Sequence, residues 1–280
     1  MGMMLSAPAG NDILFDESLC QQGMGFCNKI WNSFRLVQGW ETADIEQPEA
    51  SKIAIKWFEA KMKTAYAEIN DLYSKYRLNE ALMTAFKLFT DEFSGWYLEM
   101  IKPGYQKPID KQTYEATLRF FDYLMRIIHP FMPFITEEIW QHIYDRKPGE
   151  SIMVSTVKFD AVTAEDEAII AGIETVKNIV AGVRTVRNQK NIAPKEVLSL
   201  KAVGSNAFAQ FDSVVIKMAN LDGIEVVADK SADASAFMVG TSEYAVPLGN
   251  LIDVAAEIEK QVAQLKHLEG FLVGVRKKLS

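Results

Sequence analysis

The chain is poor in the residues that metal and nucleophilic chemistry draw on. Its 280 residues include two cysteines and three histidines. Cys20 and Cys27 stand seven apart, two turns along one helical face, which suits neither a disulfide nor a metal knuckle. They read as two buried, reduced thiols of a cytoplasmic protein. His129, His142 and His267 are scattered, none at metal-ligand spacing. There is no P-loop or GxGxxG phosphate cradle, no GxSxG elbow, no HExxH and no paired-carboxylate constellation. No apolar run approaches the roughly 18 residues of a membrane span, and the first residues lack the basic start of a signal peptide. A net charge of -7 excludes a basic nucleic-acid binder of the all-over kind, so any RNA contact must come from local patches. On residues alone the chain binds or scaffolds something. No catalytic residue, cofactor-binding residue or metal ligand is assigned in it.

What is present is helical. Hydrophobic residues make up 49% and charged residues 24%, ordinary for a globular chain long enough for two domains. Residues 1–15, with "SAPAGND", read as an irregular lead-in. A first helix is expected from Glu17 to Trp40 and a second from Pro48 to about Tyr76. Leu82, Phe86, Phe89, Phe93, Trp96 and Met100 step by 4, 3, 4, 3 and 4, one unbroken helical face, with Tyr97 slightly off the line and able to reach solvent. Tyr114, Leu118, Phe121, Met125 and Ile128 mark a fourth helix. Then comes "HPFMPFITEEIWQ". Two prolines three apart force a corner, with His129 and Met132 non-helical, Thr136 as N-cap, and Glu137 and Glu138 at the positive end of a fifth helix. His129 is expected to be a satisfied corner residue.

Five antiparallel helices with short connections make a bundle over 16–149. "DRKPGE" bounds it, and a small α+β domain is expected over 150–250. There "SIMVS", "EVLSLKAVG", "GIEVVA" and "SEYAVPLG" read as strands, with a long helix after the first and a helical stretch between the second and third. From Leu251, apolar residues at steps of 4 and 3 suggest the first helix of a coiled-coil arm over 251–280. The fold class is therefore mainly α.

Two stretches combine charge, amides and aromatics. In "GFCNKIWNSFR", Asn28, Asn32 and Arg35 fall at i, i+4 and i+7, flanked by Lys29, Phe26 and Trp31. Amides bond base edges and cations hold phosphate, which is what reading single-stranded bases requires; a plain solvated face is the alternative. In "VRTVRNQKNIAPK", Arg184, Arg187 and Lys190 are spaced by threes, a candidate phosphate track or else a basic face against the acidic bundle.

The corner "HPFMPFITEEIWQ" resembles the one in the anticodon-binding helical bundle of class I aminoacyl-tRNA synthetases for valine, isoleucine and leucine. "MLSAPAGNDILFDESL" with "FCNKIWNSFRLV", "VRNQKNIAPKE" and "LEGFLVGVRKKLS" is similar to the valine branch of that family. The resemblance covers essentially the whole chain. It implies the anticodon-binding, C-terminal part of an enzyme that joins valine to its tRNA using ATP and Mg2+. Residues 1–15 would be the junction to catalytic and editing domains outside this sequence, and the fragment alone would be inactive. Its partners would be tRNA for valine and the rest of the enzyme, in the cytoplasm, with no membrane or DNA. Asn28 or Asn32 would read adenine, Phe26 or Trp31 would stack, and Lys29 and Arg35 would hold phosphate. Where the family usually has Gly-Arg-Asn-Phe, this chain has Gly23, Met24, Gly25 and Phe26. The equivalent domain of the isoleucine or leucine enzyme, or a helical protein-interaction scaffold, are the alternatives.

Overall fold

A computed structural model describes residues 1–6 and 15–249, together with Leu265 and Leu268. The expected arm over 251–280, those two leucines apart, lies outside the described residues. The chain divides into two compact units, Met1–Val176 and Lys177–Ser280. The division falls within a helix, downstream of the boundary near 150 expected from sequence.

The first unit is built from helices α1 (Gly2–Ser6), α2 (Glu17–Gln38), α3 (Glu49–Ser74), α4 (Leu78–Lys87), α5 (Leu98–Ile101), α6 (Lys111–Ile128) and α7 (Pro133–Ile143). Two-residue strands β1 (Thr42–Ala43) and β2 (Ile109–Asp110) pair in parallel and tie the ends of two loops. α1 corrects the irregular lead-in expected there. It lies so close to α2 that a Cβ on Gly2 would overlap the Leu19 carbonyl, a crossing only glycine permits. α2 starts where Asp16 accepts from the Ser18 amide at 2.8 Å, and α3 starts after Pro48. The two thiols on α2 are not buried as expected: Cys20 is exposed and Cys27 half-buried.

The core is aromatic. Phe93 meets Phe121 edge-on at 4.8 Å, and Phe58 lies 5.0 Å from both Tyr97 and Phe120. Rings of this size bury roughly 150–250 Å² each and dominate such a core.

Between α4 and α5 the chain does not leave the helix but widens into a π-helix over Leu88–Tyr97. Bonds from i to i+5 put more residues in each turn, so the inward face falls progressively later than an α-helical count places it. This corrects the Tyr97 expectation. Trp96 is half-buried, while Tyr97 is 0% exposed and stacks on Phe93 at 5.4 Å. Its hydroxyl lies 2.9 Å from Thr117 Oγ1, which itself donates to the Thr113 carbonyl. Burial pushes this phenol far above its ordinary pKa, so it stays protonated.

The proline corner differs from expectation in two details. His129 keeps helical dihedrals (φ -52°, ψ -41°) as the C-cap of α6, despite preceding a proline. Thr136 is not the N-cap: Met132 is, and Pro133 opens α7, so Thr136 sits a turn inside. The fully buried Thr136 donates to the Met132 carbonyl at 2.8 Å, and its oxygen lies 2.7 Å from His129 Nδ1. The short corner is thus cross-linked by side chains. His129 is buried and hydrogen-bonded, a satisfied corner residue. Phe134, by contrast, is 91% exposed, so the corner's apolar groups do not all point inward.

Beyond α7, "SIMVS" forms a 3₁₀ turn over Ile152–Val154, not a strand. Ser151 and the Ile152 amide both bond Glu137 there. The irregular strap that follows is pinned by Tyr66 Oη on the Val157 carbonyl at 2.7 Å and by Phe159 against Tyr66 and Tyr123. α8 (Ala164–Gln189) begins with a reciprocal cap. The Thr163 amide bonds Asp166 Oδ2 at 2.9 Å and the Asp166 amide bonds Thr163 Oγ1 at 3.2 Å. Lys63 adds an ion pair to Asp166 at 3.1 Å.

The second unit takes the end of α8, then β3 (Leu198–Val203), α9 (Asp212–Ala219), β4 (Leu221–Val227), β5 (Ala234–Val239) and β6 (Ser242–Pro247). The sheet order is β4-β3-β6-β5, with β3 and β4 parallel across α9 and the rest antiparallel. β5, an edge strand with exposed Ala236 and Met238, has no clear apolar alternation and was not expected. α8 reaches this sheet through Gly182, where a Cβ would overlap the Phe237 ring.

Candidate nucleic-acid interface

α2 buries Phe26, Ile30, Ser33, Phe34 and Val37. At about 100° per residue, Asn28, Asn32 and Arg35 stay within a narrow arc on the opposite side, and all three are exposed. The polar stripe expected from sequence is therefore presented to solvent. Lys29 is half-buried on one flank, and Trp31 is 37% exposed on the other.

Phe26 is corrected. It packs 4.8 Å from Phe86 and 5.6 Å from Phe89 in the core, so it has no face for a base.

The basic stretch at the end of α8 separates into two kinds of residue. Arg184 is exposed, with a long bond to the Met218 carbonyl at 3.5 Å, and Lys190 is half-buried. Arg187, expected on the same track, is 6% exposed. Its guanidinium donates to four carbonyls: Ala193 at 3.2 Å, Glu196 at 2.8 Å, and Ala219 and Asn220 at 3.0 Å each. Arg187 stands four and seven residues after the buried Val183 and Val180, so it falls on the apolar side of α8, whereas Arg184 falls off that line. Asn191 and Asn220, both left-handed, end α8 and α9 beside it. Asn220 Nδ2 also donates to the Pro194 and Glu196 carbonyls at 3.1 Å. "VRNQKNIAP" is thus largely a structural knot. The tetrad of carbonyls comes from segments up to 33 residues away, and nothing local in the sequence announces it.

Sequence reasoning missed a second polar feature in the first unit. Gln38, at i+7 from Trp31 and i+3 from Arg35, opens onto a groove of about 740 Å³ lined also by Gln141, His142, Tyr144, Asp145 and Arg146. Its wall is braced from behind. The Arg146 guanidinium lies 3.5 Å from the Trp140 ring centre and 5.4 Å from that of Tyr144, and bonds the buried Asp122 at 2.9 Å. Arg126 pairs with the same carboxylate at 2.8 Å and donates to the Thr156 carbonyl. Asp122 and Arg146 are 24 residues apart, so only the i+10 position of Gln38 could have hinted at this groove.

Among the described residues, no group of three or more His, Cys, Asp or Glu side chains could hold a metal, and no helix is long and apolar enough to cross a membrane. The exposed side of α2 thus offers two amides and a guanidinium along one line. The chain belongs to the family described as the anticodon-binding domain of tRNA ligase, whose model matches residues 55–202. It is 60% identical over 280 residues to the valine--tRNA ligase of Phocaeicola vulgatus and 58% identical over 283 residues to that of Bacteroides thetaiotaomicron; both alignments cover the whole chain. More distantly, it is 28% identical over 289 residues to the valine--tRNA ligase of Brucella suis, an alignment covering 99% of the chain. In each case the chain spans 32% of the relative's length.

Proposed function

We propose that this chain is the tRNA-recognition part of a valine-tRNA ligase, binding the anticodon loop of tRNA for valine through the exposed face of α2. The observation that carries the reading is the solvent-facing line Asn28, Asn32 and Arg35 on a helix whose opposite side is locked into an aromatic core. Asn28 and Asn32 each offer a donor and an acceptor, the pattern that pairs with adenine. Lys29 and Arg35 hold the phosphates between bases, and Trp31 offers a partial stacking surface. Arg184 and Lys190 supply separate backbone contacts, while Arg187 takes no part. Discrimination among bases needs side chains held at fixed spacing, which the cross-linked corner and the ring cluster provide.

The ligase as a whole would act in the cytoplasm, attaching valine to tRNA with ATP and Mg2+. The residues described here do not fit either cofactor, having no glycine-rich phosphate cradle in the sequence and no ligand cluster in the structure. Neither is assigned a step in this chain.

The test is filter binding of the 280-residue chain to valine tRNA and to the same tRNA with a substituted anticodon. The parent chain should prefer the natural anticodon, and Asn28→Ala with Asn32→Ala should abolish that preference and cost about 1–3 kcal/mol per lost bidentate contact. Unchanged affinity and preference in the double variant would remove α2 from the reading face.

A further inference from the structure

We infer that the groove where α2 meets the end of α7 is a subsite for one further unpaired nucleobase, adjoining those read along the stripe; this rests on the anticodon-loop reading above. Three observations carry it. First, the line Trp31, Arg35, Gln38 runs from the stripe into the groove, and ten residues from Asn28 to Gln38 span about 15 Å, room for a strand to continue past the two asparagines.

Second, the lining matches a base edge and a base face. Gln38 carries an amide that can accept and donate together, while Gln141, whose Nε2 donates to Glu137 Oε1 at 2.7 Å and to the Glu150 carbonyl at 2.6 Å, adds an acceptor through Oε1. Tyr144 is 42% exposed, presenting part of its ring, and burial of the remainder keeps its hydroxyl protonated as a donor. Third, the charges cancel. Arg126 and Arg146 share the single carboxylate of Asp122 and, with Arg119 acting on Tyr144, leave two positive charges, which Asp145 on the groove wall and Glu138 beside His142 offset. A phosphate would find no net attraction here, whereas a neutral base would. The guanidinium of Arg146, held between Trp140 and Tyr144 and bonded to Asp122, fixes the ring without being spent on the ligand. Asp122 is accordingly a positioning residue.

The test uses the full 280-residue chain and an RNA hairpin carrying the valine anticodon loop, with derivatives in which one loop nucleotide at a time is made abasic. Tyr144→Ala and Gln38→Ala, both at exposed positions, should each weaken binding of the intact hairpin roughly tenfold. For one abasic derivative the loss should vanish, because the base that met the groove is already gone. With Asn28→Ala and Asn32→Ala, the loss should vanish at different loop positions. Melting temperatures establish that each variant folds. Groove variants that bind every RNA like the parent, while the stripe variant is impaired, overturn this inference alone. So does a loss that is the same for all derivatives and is accompanied by a shallower salt dependence, since that describes a phosphate contact. A parent chain with no affinity for the hairpin overturns the anticodon-loop reading, and this inference with it.

Discussion

Replacing Arg187 separates a structural cation from an RNA-binding one. The guanidinium reaches four carbonyls, and three of these keep a second donor without it. Ala193 O accepts from the Glu196 amide, Glu196 O from Asn220 Nδ2, and Asn220 O from the Leu198 amide. The Ala219 carbonyl, in a buried bond with Arg187 Nη2, is the one left exposed to the full penalty. An orphaned buried acceptor costs about 1–3 kcal/mol, and each of the other three bonds contributes about 0.5–1.5 kcal/mol. Arg187→Met keeps the length of the side chain and recovers a little apolar burial, so the net loss should be about 3–5 kcal/mol. Arg187→Lys keeps the charge but has three donors on one nitrogen and no planar fork, and should cost about 1–2 kcal/mol. The assay must see the right unit. All five tryptophans lie at or before Trp140, in the first unit, so their fluorescence reports on the bundle. Amide hydrogen exchange along β3 and β4 reports on the second. Arg187→Met should strip protection from those strands, while Arg184→Ala, which removes a bond to the Met218 carbonyl at 3.5 Å, should lower it far less and reduce the slope of log affinity against log salt by about 0.7 for a single-stranded RNA. An Arg187→Met chain with full protection and a reduced salt slope would refute the structural assignment and return Arg187 to the RNA.

Two further outcomes follow from the bundle. His129 is held below its ordinary value near 6.5, chiefly by burial, against which Glu137 pulls the other way. A folded state that prefers the neutral imidazole is fully stabilised by it above about pH 6.5 and loses that contribution as pH falls below it. Urea midpoints should therefore drop from pH 7 to pH 5, and drop less in His129→Gln; equal pH dependence in both would sink the assignment. Glu137 is also depressed: burial opposes, but bonds from Gln141, Ser151 and the Ile152 amide prevail, so its contribution fades only below about pH 4.5. Tyr97→Phe removes a buried donor yet leaves Thr117 bonded to the Thr113 carbonyl, so it should cost about 0.5–1.5 kcal/mol in tryptophan-monitored unfolding. A loss near zero would mean that the Tyr97 hydroxyl is not buried as described.

The stripe is legible in the sequence because its logic is local. Asn28, Asn32 and Arg35 return to one side of any α-helix, and Phe26, Ile30, Phe34 and Val37 fix which side is dry. The same arithmetic puts Phe26 opposite the stripe, on the apolar side; its assignment to stacking rests on ring chemistry and the family resemblance, and burial overrules that. The reciprocal cap at Thr163 and Asp166 also has a local signature, a threonine three residues before a carboxylate. Gln38 stands at the end of the stripe's own line, but its partners on α7 are about a hundred residues further on, beyond the reach of any helical count.

Composition and periodicity by themselves determined that this chain is a helical bundle followed by a mixed unit, that α2 has one wet polar face, and that no P-loop, GxGxxG or HExxH motif is in it. Those conclusions need only contacts between near neighbours in sequence. Tertiary structure alone decided that Tyr97 turns inward, that Arg187 serves four carbonyls, two of them 32 and 33 residues away, and that Asp122 braces a groove 24 residues away. In each case the deciding partner is far along the chain, and a buried polar group must be satisfied by whatever folding brings to it.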